Sequence, residues 1–209
     1  MKNVRFKALL AFITLLLTAS GALAFEPALT LRDKERGTEV NLYPIPGKEG
    51  EGLLFYGNDR FGYSVEVPYE LFSEVVMLPD NGDGMILASK DGKARFRVSG
   101  GNVMDEDRLR SAFKDAKQSV GKDFVLENLT EDSWKLCWWD GDRFFQRKFV
   151  ANEEVWAECE VSYPASRDEG SRSPWDDLAS QAVESLALGA ELPDRRQSWE
   201  NDEDPVMAR

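Results

Sequence analysis

From Leu53 onward, apolar and polar positions fall into short runs with the period of β-strands. Leu53–Tyr56, Tyr63–Val67, Met85–Ala88 and Ala94–Val98 are each short, apolar or alternating, and bounded by turn residues. Lys90-Asp91-Gly92-Lys93 parts the last two, and Gly92 accepts the positive φ that a tight hairpin turn imposes. Four more strands are predicted at Phe124–Asn128, Trp134–Trp139, Arg143–Val150 and Val155–Tyr163. Asp140-Gly141 and Asn152-Glu153 separate the last three, so these four read as an antiparallel meander.

Two segments switch to helical period. Asp105–Val120 sets Leu109, Ala112, Phe113, Ala116 and Val120 on one face, with Asp105, Glu106 and Asp107 at the positive end of the dipole and Gly121 as the stop. Pro174–Leu188 repeats Trp175, Leu178, Ala179, Ala182, Val183 and Leu186, with Ser173 as N-cap, Pro174 at the first helical position and Gly189 as the stop. Strands in runs together with two amphipathic helices predict an α+β fold in which the helices cover an antiparallel sheet. Residues 25–50 are rich in charge, Pro and Gly and read as an extended N-terminal arm, with Val40–Tyr43 as their one strand-like stretch. A single α+β domain is expected over 51–189. Residues 190–209 carry six acids, three arginines and two prolines, the composition of a disordered acidic tail.

The first 24 residues have a different pattern. Lys2, Arg5 and Lys7 precede an apolar run from Ala8 to Ala19, and Ser20-Gly21-Ala22-Leu23-Ala24 presents small side chains for a peptidase. The run is shorter than the roughly 20 residues that a membrane-spanning helix needs. It reads as a secretory signal peptide cleaved after Ala24, which places the mature chain in the periplasm or outside the cell with no membrane span left.

Cleavage removes three positive charges, so the formal net charge moves from −12 to −15. Such an acidic chain is not expected to bind nucleic acid, a polyanion whose affinity depends on clustered Lys and Arg. The complete absence of His removes Ser-His-Asp and Cys-His catalysis, His-ligated zinc and His-ligated haem. Two cysteines cannot form a four-thiolate metal site, and no glycine-rich nucleotide loop is present. No cofactor, metal site or catalytic residue is therefore assigned.

Tyr56-Gly57-Asn58-Asp59-Arg60-Phe61-Gly62-Tyr63-Ser64-Val65-Glu66-Val67-Pro68, followed by Asn81-Gly82-Asp83-Gly84 and Ser89-Lys90-Asp91-Gly92, resembles exported bacterial proteins of the PsbP-like fold. Tyr163-Pro164 leading into a helix that ends Val183-Glu184-Ser185-Leu186 extends the resemblance over about residues 54–188. It implies an α/β/α sandwich that acts as a non-enzymatic interaction or assembly module, as the photosystem II extrinsic subunit does. None of the matched residues is a catalytic residue of that family.

Three weaker patterns have plain structural readings. Asp80-Asn81-Gly82-Asp83-Gly84 lacks the oxygen ligands of an EF-hand loop and reads as a turn. The Ser-x-x-Lys spacings at Ser111–Lys114 and Ser119–Lys122 stand without their companion motifs and read as the polar face of a helix. Trp134, Trp138, Trp139, Phe144, Phe145, Phe149 and Trp156 are mostly core. Because adjacent strand residues point to opposite faces, Trp138 or Trp139 is the candidate for an exposed binding platform.

The function expected on these grounds is a periplasmic binding or assembly module whose partner is an unknown protein or small ligand. The alternative is a hydrolase built on paired carboxylates, for which two partly buried acids in a pocket would be the sign. Cys137 and Cys159 would by default join in an oxidising compartment. The predicted meander inserts a strand between them, about two 4.8 Å spacings, so two free thiols are expected.

Overall fold

A computed structural model describes residues 26–104, 107–121, 123–167, 173 and 175–189. The expected signal peptide with its cleavage site at Ala24, and the expected tail at 190–209, lie outside the described residues.

The fold is α+β, a mostly antiparallel sheet with two helices. In chain order the elements are β1 (Leu29–Asp33), β2 (Thr38–Leu42), β3 (Leu54–Asn58), β4 (Tyr63–Val67), β5 (Glu74–Met77), β6 (Gly84–Ala88) and β7 (Arg95–Asn102). They continue with α1 (Arg108–Val120), β8 (Phe124–Leu129), β9 (Ser133–Asp140), β10 (Arg143–Ala151), β11 (Val155–Pro164), α2 (Asp176–Ser185) and β12 (Ala187–Leu188). Seven strands form the central sheet in the order β5-β6-β7-β11-β10-β9-β8, and a smaller sheet has the order β12-β4-β3. The meander β8 to β11 follows the sequence pattern, with its turns held at Gly141 (φ 62°) and by the Asn152 side chain, whose Oδ1 accepts from the amides of Glu154 and Val155.

Alternation along β11 decides what each face of the sheet does. Ala157, Cys159, Val161 and Tyr163 join the main core, which also contains Ala179, Ala182 and Val183 of α2 and Tyr63, Val65 and Val67 of β4. Trp156, Glu158, Glu160 and Ser162 take the other face. There α1 sets Leu109, Ala112, Phe113, Ala116 and Val120 against Trp134, Leu136, Trp138 and Phe149 of β9 and β10. These are the five apolar positions that the helical period selects. The α2 start is a reciprocal cap: the Trp175 amide donates to Ser173 Oγ at 3.3 Å, and the Ser173 amide donates to Asp176 Oδ2 at 2.8 Å.

Two local expectations are corrected. Residues 29–42 are not an extended arm but a β1–β2 hairpin whose Leu31 and Leu42 are buried in the main core. Its turn is organised by Asp33, which accepts from the amides of Glu35 and Arg36, and Gly37 takes the positive φ (71°). The second helix stops at Ser185 instead of Leu188. Leu186 adopts extended dihedrals (φ −57°, ψ 122°), and Ala187 and Leu188 pair with Ser64 and Tyr63 on the open edge of β4. Strand pairing there satisfies backbone groups that one more helical turn would leave at the edge unpaired.

Candidate binding site

α1 packs on β9 and β10, and the same sheet face continues across β11, β7 and β6. Here period-two alternation puts Phe96 and Val98 into the core and turns Arg95 and Arg97 outward. On β10, Arg143, Phe145 and Arg147 share that face. Register brings the rows together: Arg95 lies opposite Ser162, and Ser162 opposite Phe145; Arg97 lies opposite Glu160, and Glu160 opposite Arg147. Ile86 of β6 completes the second row beside Arg97. The result is a groove of about 470 Å³ lined by Ile86, Gly92, Arg95, Arg97, Arg143, Phe145, Glu160 and Ser162.

The charges in this groove do not balance. Arg147 holds Glu160 through two N–H groups, Nε at 2.6 Å, and lies 5.1 Å from the Trp138 ring. Arg97 is 3.9 Å from Glu158. Arg143 donates to the Lys93 carbonyl at 2.6 Å and to Ser162 Oγ at 2.9 Å, and so meets no carboxylate through either bond. Arg108 of α1 sits 5.1 Å from the Trp156 ring. Arg95 is exposed, and its side chain makes no hydrogen bond or ion pair among the described residues. The lining of the groove thus sets three guanidinium groups, of Arg95, Arg97 and Arg143, against the one carboxylate of Glu160, with Asp140 opposite Arg143 on β9, in a chain whose formal net charge is −12. Burial pushes the Glu158 carboxyl above the usual carboxylate range, although Arg147 and Arg97 pull the other way.

Guanidinium forks match oxyanions, because two parallel N–H groups meet two oxygens. The groove is therefore suited to a carboxylate or phosphate group, with Phe145 and Ile86 as apolar contacts beside it. A second cavity of the same volume, between the start of α1 and the turns at Thr130 and Asn152, sets Asp107, Glu131 and Glu153 against Arg108 and Arg110. Its acids and bases nearly cancel, which removes the reason to place an ionic ligand there.

The two tryptophans singled out from the sequence do point to opposite faces. Trp138 is buried, its ring stacked 4.9 Å from Phe145, so it backs the groove without lining it. Trp139 is half-buried, tilted against Phe144 at 4.9 Å, with Arg167 5.2 Å from its ring. The sequence reading missed the arginines. Their signal was present as Arg95-Phe96-Arg97 and as Arg143 with Arg147, polar positions of the strands themselves, but the acidic total concealed a local basic face.

The other patterns resolve into structure. Ser111 and Ser119 hydroxyls bond back to the Arg108 and Ala116 carbonyls of their own helix, and Lys122 lies outside the described residues. Gly82 takes the positive φ (68°) of the Asp80–Gly84 turn, whose Gly82 carbonyl accepts from Asn58 Nδ2 at 2.7 Å and whose Asp83 carboxylate pairs with Arg60 at 2.9 Å. Asn58 Oδ1 also accepts from the Phe61 amide, so the Tyr56–Tyr63 motif acts as a clasp between the two sheets. Among the described residues no three Cys, Asp or Glu side chains group as a metal site requires, and no helix is long and apolar enough to cross a membrane.

Among solved structures, the chain is similar to the solution structure of cyanobacterial PsbP (CyanoP) from Synechocystis sp. PCC 6803, at 11% identity and a TM-score of 0.43. The similarity covers 69% of this chain and 97% of that one. No protein-family model matches the sequence, and no curated protein matches it.

Proposed function

We propose that the protein is an exported, non-enzymatic binding or assembly module that takes a partner in the arginine-lined groove of its central sheet. The observation that carries this reading is the charge imbalance: Arg95 and Arg143 present guanidinium groups with no carboxylate bonded to them among the described residues, in a strongly acidic chain. Like charges gathered on one sheet face without carboxylate partners repel each other, and an anionic group from outside would relieve that repulsion.

Export is part of the proposal and is supported by the three-zone pattern of residues 1–24. So is an α/β/α layering, supported by α1 and α2 packing with side chains from opposite faces of β10 and β11. The folded unit would then begin with the β1–β2 hairpin and end with β12, followed by a solvated acidic tail.

Affinity capture tests the module. The mature chain starting at Phe25, and its Arg95→Glu variant, are used as bait in a periplasmic extract with quantitative mass spectrometry. Enrichment of a defined set of proteins by the native chain is expected; no enrichment over an unrelated acidic bait would overturn the reading. Intact mass of the exported protein should correspond to a chain beginning at Phe25, and retention of Met1 would remove the export step.

Glu158 and Glu160 are the acid pair that a carboxylate hydrolase would use, one raised by burial and one paired with arginine. Turnover of an ester or glycoside panel that disappears in Glu158→Gln would move the function there.

A further inference from the structure

We propose that the groove's partner is an acidic peptide segment in extended conformation, lying over β11 between the arginines of β7 and those of β10. This rests on the binding-module reading and names the chemistry of the partner.

Spacing carries the first step. Arg95 and Arg97 are two residues apart on one strand, so they repeat at about 6.8 Å, the interval at which an extended peptide presents every second side chain. A segment with an acid at alternate positions would keep register with them. β7 and β10 flank β11, which puts about 9.6 Å between the two arginine-bearing strands, enough width for one extended chain. The end of the floor at Ser162 is small and buried, with Phe145 and Ile86 offering apolar contact on either side.

Charge carries the second step. Arg147 already neutralises Glu160, so the acid in the floor does not oppose an incoming carboxylate. Arg143 is held by the Lys93 carbonyl and Ser162 Oγ, two of its five N–H donors, and the rest stay available on a fixed fork. The Arg95 side chain is exposed at the mouth and has no ion-pair partner among the described residues. A long polyanion or an anionic membrane would also meet the rest of this −12 chain and be repelled by it. A short acidic segment meets the groove alone.

Titration tests this with the mature chain and a blocked synthetic peptide of alternating Glu and Val; the controls are the same peptide with Gln for Glu, and inorganic phosphate. Saturable binding of the Glu peptide, absent for the Gln peptide and weakening as salt is raised, is expected. Arg95→Glu should weaken it about tenfold or more without lowering the melting temperature, because the Arg95 side chain makes no hydrogen bond or ion pair among the described residues. The inference is overturned by no binding, by equal binding to the Arg95→Glu variant, or by phosphate binding as tightly and displacing the peptide. It is also overturned if a chain ending at Gly189 binds while the full chain does not, since the acidic tail would then be the occupant. If both native and Arg95→Glu baits capture the same proteins, the module stands and this site falls. If neither captures any, the module falls while the titration still reports on the groove.

Discussion

Cys137 and Cys159 lie on the same face of the central sheet with the whole of β10 between them: Cys137 pairs with Gln146, and Cys159 with Lys148. Two strand spacings of about 4.8 Å across the sheet, with a two-residue offset of about 6.8 Å along it, put the two backbones about 12 Å apart, beyond the roughly 7 Å at which a disulfide closes without backbone movement. Both are free and buried. Burial pushes the Cys137 thiol up to about 11 and the Cys159 thiol higher still. The native protein should therefore react very slowly with a thiol reagent at mildly alkaline pH, and the unreduced, denatured monomer should titrate as two thiols. Zero thiols after denaturation would mean that β10 does not run between them.

Gly100 and Tyr63 make a second contact that a small change should break. A Cβ at Gly100 would fall 2.5 Å from the Tyr63 ring, which is almost fully buried and tied through its hydroxyl to the Asp83 carbonyl at 2.9 Å. The ring has nowhere to go. Gly100→Ala should cost about 1–3 kcal/mol, the usual penalty for overpacking a tight core. Urea unfolding measures this, and an unchanged midpoint would show that the two sheets can separate slightly at no cost.

Where one residue type dominated its surroundings, the sequence was readable. α1 and the strands β9 to β11 were legible because each is a run of eight or more residues rich in apolar positions and bounded by turn or cap residues. The β1–β2 hairpin was not, although Leu29, Leu31, Val40 and Leu42 alternate; the charged turn Asp33–Gly37 made the whole stretch look solvated. The order of the strands also lay beyond the pattern. β7 joins β11 far along the chain, and only that pairing brings Arg95 and Arg97 beside Arg143 and Arg147. A basic face assembled from two distant strands leaves no local run of charge for composition to detect.

Asp33 should behave as a joint between the hairpin and the main body. Its carboxylate accepts from the amides of Glu35 at 3.0 Å, Arg36 at 3.1 Å and Leu78 at 3.3 Å. Burial works to raise its pKa, but these amides and the Arg36 guanidinium outweigh that and hold it below the ordinary value. A lowered folded pKa stabilises above the unfolded value of about 3.9 and is lost as pH falls through the folded one. Asp33→Asn should melt lower than the native chain near neutral pH, and the gap should close in strong acid. A gap that does not depend on pH would assign the effect to lost hydrogen bonds alone.

Glu158 should show the opposite sign. Its carboxyl is buried beside Arg147, Arg97 and Arg108, yet burial outweighs the three arginines and the folded pKa is raised. A raised carboxyl pKa means that the native state holds a proton which the unfolded chain has already released. The associated stability is present below the unfolded pKa of about 4.3 and is lost as pH rises through the folded value. Glu158→Gln keeps the shape and removes the ionisation. It should therefore match the native protein near pH 4 and melt higher near neutral pH, the difference growing as pH rises through the folded pKa. The same change should remove the acid 3.9 Å from Arg97 and strengthen binding of the acidic peptide. Thermal melts at both pH values decide the first part; a Glu158→Gln variant less stable than native at neutral pH would show that the arginines, not burial, govern this carboxylate.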